Sequence, residues 1–280
     1  MLKIIADSSC DIKEMSNEYK NILFSTVPLN ITINDKTYID NENLDIISMM
    51  NIMESTKEKS TTACPSPELW INKSKNADEI FLVPMTNALS GSYNSAIVAK
   101  NMILENYPYK KVYVVNTLNT SSGNTLIIEK IASLANENVP FEKICKKIEE
   151  YINSIKLTFV LFNINNLIKS GRVNKLAGIA MSALNITLIG EASKEGTLTP
   201  LHKVRGQKKS IDLIVQEMIK NGFNKGKVII THCFNEEGAI ELKEKILNTF
   251  GNCKITIQKA SGLVSYYAER SGILVGYEIG

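Results

Sequence analysis

The chain of 280 residues contains only two histidines, His202 and His232, and a single tryptophan. A histidine-rich metal site is excluded on that count, and a serine or cysteine hydrolase would have to recruit one of those two rings as its base. The five cysteines, Cys10, Cys64, Cys145, Cys233 and Cys253, are odd in number, far apart and without a C-x-x-C pair. They read as reduced thiols rather than as a zinc or redox centre. No apolar stretch approaches the roughly 18 residues of a membrane span, and the start "MLKIIAD" reaches Asp7 before a signal-peptide hydrophobic region develops. The expectation is a cytoplasmic protein. Lys plus Arg exceed Asp plus Glu by 32 to 29, with the cations spread along the chain, which is too little basicity for a nucleic-acid partner. Also missing are a Walker loop, G-x-G-x-x-G, a G-x-S-x-G elbow, an internal repeat and any low-complexity tract. No cofactor and no metal are expected.

What is present is an alternation. The runs "LKIIAD", "ILFSTVPLNITI", "EIFLVPM" and "KVYVVN" have strand character, while the stretches after Ser90 and after Ser121 have helical spacing. "IFLVP" and "VYVV" are apolar on both faces, as central strands of a helix-covered parallel sheet should be. From Leu157 the pattern changes: "LTFVLFNI", a helix-like "NLIKSGRVNKLAGIAMSALN", then "ITLIGEASKEGTLTPLHKVR", read as two strands joined at a Lys-Glu-Gly turn. A hairpin implies antiparallel pairing, so the second half is expected to be a mixed sheet with helices on one side. The fold class is α/β in two domains: residues 1–155 with a parallel sheet in an α/β/α arrangement, and residues 156–280 with a two-layer mixed sheet.

Five segments could carry chemistry. "ADSSCDI" ends the first strand in Asp7, Ser8, Ser9 and Asp11, a ligand crevice or simply a helix cap. "STTACPSPELW" reads as a loop stiffened by Pro65 and Pro67 after Thr61 and Thr62, with Ser66 as an ordinary cap in the simpler reading. In "TNALSGSYNSA", Ser90 and Gly91 stand at a helix start, where free amides favour a carboxylate or phosphate, although Ser-Gly before a helix is more often only a cap. "IKSGRVNK" offers Arg172, and "KVRGQKKS" offers Arg205 in a cluster of cations suited to an acidic partner; the plainer readings are a solvated arginine and a basic helix start.

In the same order these segments resemble the motifs of the DegV family: "ADSSCDI" its "TDSSxDL", "TACPSP" its "TSQPSP", "TNALSGSYNSA" its "SSGLSGTYQSA", "IKSGRVN" its "LKKGGRIS", "LNITLI" its "LNIKPIL" and "KVRGQKKSI" its "KVRxRKKAL". The resemblance implies a carrier rather than an enzyme. A long-chain fatty acid would lie in an apolar tunnel between the two domains, presented to a fatty acid kinase that makes acyl phosphate for phospholipid synthesis. Thr62 and Ser90 would contact the carboxylate, with Thr61, Gly91, Asn87 and Ala268 around it. Arg172 and Arg205 match arginines linked to the phosphate or to kinase docking. A monomer with transient membrane-surface contact is implied. Alternatives are a lipid-sensing regulatory protein, or an acyl hydrolase or transferase using Ser90 or Cys64 with His202 or His232. The chain departs from the pattern at the head group: Ala268 replaces a histidine, Thr187 a lysine, Cys64 a glutamine, and Thr86-Asn87-Ala88 the family "SSG".

Overall fold

In chain order the first half runs β1 (Leu2–Asp7), β2 (Leu23–Val27), β3 (Asn30–Ile33), β4 (Lys36–Ile39), α1 (Ile46–Ser55), β5 (Thr61–Ala63), α2 (Pro67–Lys73), β6 (Glu79–Val83), α3 (Ser92–Asn106), β7 (Lys111–Val114), α4 (Ser122–Asn136) and α5 (Phe141–Asn153). The second half runs β8 (Ile155–Leu161), α6 (Asn165–Lys169), β9 (Thr187–Ala192), β10 (Leu198–Val204), α7 (Gln207–Lys220), β11 (Val228–His232), α8 (Glu236–Phe250), β12 (Ile255–Lys259), α9 (Gly262–Ala268) and β13 (Ile273–Glu278). The computed structural model describes every residue except 17, 20, 21, 57–59, 173–186 and 280. Most of the helix expected after Gly171, and the start of "LNITLI", lie outside the described residues.

The doubly apolar runs form a four-stranded parallel sheet in the order β2-β1-β6-β7. Helix α5 shows why the charged segment "FEKICKKIEEYIN" is amphipathic: Phe141, Ile144, Ile148, Tyr151 and Ile152 are buried on one stripe, and they join residues of α4 and the sheet in one core. After α5 the chain enters a six-stranded mixed sheet, β10-β9-β8-β13-β11-β12. Its hairpin β9–β10 is antiparallel, turning at Gly196. The strands of this sheet alternate: Val160, Ile189, Val228 and Val275 pack under α7 and α8, while Leu157, Phe159, Leu161, Leu188 and Leu274 face back toward the first half of the chain.

A third sheet, β4-β3-β5, departs from the sequence expectation. "ILFSTVPLNITI" is not one strand: Pro28, with no amide to donate, stands between β2 in the parallel sheet and β3 in the small one. Asn34 and Asp35 then turn β3 into β4 with φ of 49° and 62°, the left-handed pair a two-residue hairpin needs. Thr61–Ala63, expected as loop, is the edge strand β5, pairing antiparallel to β3 with Thr62 opposite Ile31.

At Gly276 the backbones of the two halves of the chain approach closely. It lies on the face of β13 turned to α4, and a Cβ there would come within 2.7 Å of the Ser122 backbone. Among the described residues no helix is long and apolar enough to cross a membrane.

Candidate functional site

The leucine-rich face of the six-stranded sheet is not fully covered. Between it, the small sheet and the loops after β6 and β7 lies a cavity of about 620 Å³, counted out to its opening. Its walls are apolar: Leu29, Met85, Phe159, Leu161, Leu198, Leu263, Val264 and Leu274 contribute side chains. Phe159 can lie flat across β9 because its register partner is Gly190, where a Cβ would sit 2.3 Å from the ring.

The polar groups of the cavity come from separate elements. Thr62 of β5 and Tyr267 of α9 share a hydrogen bond of 2.7 Å between their hydroxyls. The Arg172 guanidinium lies 5.3 Å from the centre of the Tyr267 ring, and its Nε donates to the Leu89 carbonyl at 2.7 Å. Ser90 Oγ accepts from the Ser92 amide at 3.2 Å, at the first residue of α3. All of Thr62, Leu89, Ser90, Arg172 and Tyr267 line the cavity. Burial pushes the Tyr267 phenol above its ordinary range, so it remains a neutral hydroxyl able to donate.

Two carboxyl groups, Asp40 buried and Asp11 half-buried, hold this arrangement. Asp40 accepts from the amides of Gly262 and Leu263 at 2.8 and 3.0 Å, and Asp11 accepts from the Ser261 amide at 2.7 Å and the Ser121 hydroxyl at 2.5 Å. Together they fix the start of α9, which carries Tyr267. Burial raises both acids, Asp11 to about 7. Asp7 is a tie rather than an open crevice: it accepts from Ser9, the Met85 amide at 2.8 Å and Ser92 Oγ at 2.6 Å, joining the ends of β1 and β6 to α3. Desolvation raises its pKa as well. At the other end of α9, Glu269 is buried, which pushes its carboxyl up, and accepts from the Asn166 amide at 3.0 Å. It thereby seats α6, two residues after which the chain reaches Gly171 and Arg172.

Thr62, Ser90, Arg172 and Ala268 are thus brought together around one cavity. The other residues singled out in the sequence lie elsewhere. Thr61 points from the opposite face of β5 and is exposed, and Asn87 and Gly91 are also exposed and outside the cavity lining. Arg205 is exposed just before α7, whose first turn carries Lys208 and Lys209. Ser66 occupies the N-cap position of α2 without a side-chain cap bond. His202 is bonded to Glu217 at 2.7 Å, and His232 accepts from the Asn235 amide; neither lines the cavity with Ser90, and Cys64 stands exposed beside Gly91. Among the described residues no cluster of His, Cys, Asp and Glu is placed to hold a metal ion.

Leu89 and Thr120 also line the cavity, and nothing local in their residue types marks them out. Of the adjacent pair Tyr266 and Tyr267, Tyr267 lines the cavity while Tyr266 turns to Ser60 at 2.6 Å.

Three comparisons bear on this arrangement. Residues 1–277 match the family described as "Uncharacterised protein, DegV family". A DegV domain-containing protein of Streptococcus pneumoniae is 42% identical over 277 residues, 99% of each chain. Among solved structures, the Streptococcus pneumoniae Fatty Acid Kinase (Fak) B3 protein loaded with linoleic acid superposes with a TM-score of 0.96 at 41% identity, covering 100% of this chain and 99% of that one. A DegV family protein from Eubacterium eligens loaded with heptadecanoic acid gives 0.95 at 36% identity, covering 100% of both.

Proposed function

Because the chain belongs to the DegV family, we propose that it binds a long-chain fatty acid in the apolar cavity, its carboxylate held by Thr62 and Ser90. The observation that carries this reading is the gathering of Thr62, Ser90, the Tyr267 phenol and the Arg172 guanidinium on the wall of a largely apolar cavity. Structures of similar proteins loaded with linoleic and heptadecanoic acids support it.

The division of labour follows from the chemistry. Ser90 Oγ already accepts from the Ser92 amide, so its own proton is directed outward to an acceptor. With Tyr267 donating to Thr62, the Thr62 proton is likewise available to a carboxylate oxygen. Arg172 brings a positive charge to the same place, favouring the ionised acid. Each buried CH₂ of the tail adds roughly 0.8 kcal/mol. The tail supplies affinity and the head fixes the direction of entry. Ala268, at the position of the family histidine, leaves Tyr267 and Arg172 as the polar partners on that side.

The protein then acts as a carrier in the cytoplasm, its ligand lying between domains 1–155 and 156–280, without catalysis of its own. It presents the acid to a fatty acid kinase, a reading supported by the description of the similar Streptococcus pneumoniae protein as the Fatty Acid Kinase (Fak) B3 protein. Arg205, exposed beside Lys208 and Lys209, serves as a docking cation for that partner.

The test is direct. Protein purified from bacteria is examined by native mass spectrometry and its denatured extract analysed; a stoichiometric fatty acid is expected. A cavity that is reproducibly empty and takes up no added oleate would overturn the reading. Addition of a fatty acid kinase and ATP should then yield acyl phosphate from the bound acid, and a wild-type complex that yields none would remove the kinase as partner.

A further inference from the structure

A second cavity, of about 1000 Å³ counted out to its opening, lies at the carboxyl ends of β11 and β12. These two strands are the parallel pair of the six-stranded sheet, and the carboxyl ends of parallel strands are where open α/β sheets place ligands. His232 ends β11, Lys259 ends β12, and the two are register partners. Leu44, Ile46 and Ile47, around the start of α1, and Phe234 supply apolar wall. Helix α9 borders both cavities: Ser265 lines this one, whereas Leu263, Val264 and Tyr267 line the first.

Two of its residues are set up for a ligand. His232 is only 4% exposed, and its Nδ1 accepts from the Asn235 amide at 3.2 Å. Burial lowers the pKa of the ring, so near neutral pH it holds one proton, and that proton is on Nε2. Nε2 has no hydrogen-bond partner among the described residues and is not one of the fully covered atoms. The N–H of a ring lining the cavity is thus left for an acceptor inside it. Phe234 is 41% exposed and holds left-handed backbone at φ 52°, a conformation that costs a non-glycine residue energy and persists where surrounding structure enforces it. The Arg270 guanidinium lies 4.9 Å from the centre of the Phe234 ring, while its Nε donates to Glu54 at 2.6 Å and a terminal nitrogen donates to Asn51 at 2.7 Å, both on α1. The two apolar walls are therefore fixed relative to each other without a ligand.

The charged lining residues carry both signs: Lys259 is a cation, Glu236 and Asp45 are carboxylates, and all three are exposed. A plain carboxylic acid would answer His232 and Lys259 but meet two like charges. A plain amine would leave the buried N–H of His232 without an acceptor, and a site discriminates strongly against a ligand that does so. We propose that this cavity binds a free α-amino acid with an apolar side chain. Its carboxylate accepts from His232 Nε2 and pairs with Lys259, its ammonium faces Glu236, and its side chain packs against Leu44, Ile46 and Phe234. The inference does not rest on the fatty-acid reading, because none of these residues lines the first cavity.

The experiment is an NMR titration of the purified protein with L-leucine, L-phenylalanine and two leucine analogues: 4-methylpentanoate, which lacks the amino group, and 3-methylbutylamine, which lacks the carboxylate. Leucine binds about tenfold more tightly than either analogue, the scale of one charge-assisted hydrogen bond. Lys259→Met, at an exposed position, weakens leucine by about tenfold without weakening the amine. Glu236→Gln weakens leucine but strengthens 4-methylpentanoate. His232→Phe loses leucine binding, and should that variant not fold, the substitutions at Lys259 and Glu236 decide. If neither amino acid binds, if 4-methylpentanoate binds the wild-type protein as tightly as leucine does, or if leucine affinity survives both Lys259→Met and Glu236→Gln, the proposal fails.

Discussion

The hydroxyls of Thr62 and Tyr267 lie 2.7 Å apart, and through that contact an edge strand of the small sheet is bonded to the helix carrying one wall of the cavity. Neither group is oriented by its own element alone. Thr62 alternates inward on a three-residue strand, and Tyr267 is placed by the carboxylates that seat α9 and by the guanidinium against its ring. This part of the cavity wall is therefore an assembly across the two halves of the chain.

Removing that phenol hydroxyl tests the coupling. Tyr267→Phe keeps the ring beside Arg172 and deletes the bond to Thr62, so fatty-acid affinity should fall by about three- to tenfold, the range of one net hydrogen bond. Combined with Thr62→Val the losses should be less than additive, because the first substitution already frees Thr62 to rotate. Titration calorimetry on the two single variants and the double variant measures this; strictly additive losses would mean that Tyr267 does not direct Thr62.

Ser90 serves the helix and the ligand together. Ser90→Ala withdraws the acceptor of the Ser92 amide and should lower unfolding free energy by about 0.5–1 kcal/mol, as loss of a helix-start bond does. Fatty-acid affinity should fall by about tenfold, since a hydroxyl bonded to a charged acceptor is worth more than a neutral pair. The matched fatty alcohol should lose much less. Equal losses for acid and alcohol would assign Ser90 a structural role only.

Gly276 should be intolerant of a methyl group. A Cβ there meets backbone atoms of Ser122 and Gly123 at 2.7–3.0 Å, and backbone cannot rotate aside as a side-chain tip can. Gly276→Ala is expected to cost about 1–3 kcal/mol by overpacking, read from denaturant unfolding. Gly251→Ala does not serve as a steric control, because that residue has a positive φ of 80°.

Part of this organisation is legible in the sequence and part is not. The doubly apolar runs, the Lys-Glu-Gly hairpin and the change of pattern after α5 carry the fold class, because strand periodicity and turn chemistry are local. Asn34-Asp35 was an available hairpin signal for the small sheet, masked by the apolar continuity of "VPLNITI" across Pro28. Thr62 and Ser90 stand out by resemblance, but what separates Thr62 from Thr61 is strand parity, which depends on β5 being a strand at all. Tyr267 and Thr120 reach the cavity through long-range docking of α9 and of the β7–α4 connection, and no local pattern encodes that.

Asp11 gives the fold a pH dependence of definite sign. Its carboxyl is raised to about 7, chiefly by burial and also by Asp40, although the bonds from Ser121 and Ser261 oppose the shift. An unfolded aspartate titrates near 3.9, so between those values the folded protein holds a proton at Asp11 that the unfolded chain does not. Stability from this group therefore rises as the pH falls from about 7 toward about 4, with a limiting slope of about 1.4 kcal/mol per pH unit, and is flat above. Asp7, Asp40 and Glu269 are shifted in the same direction by burial, so the informative quantity is a difference between proteins. Asp11→Asn cannot take up that proton while keeping a carbonyl acceptor for the Ser261 amide. Unfolding free energies at about pH 5 and about pH 7 should accordingly show a wild-type gain on acidification that exceeds the variant's by about 2 kcal/mol over that interval. Parallel pH profiles for the two proteins would mean that Asp11 is ionised in the folded state throughout, and that the bonds from Ser121 and Ser261 outweigh its burial.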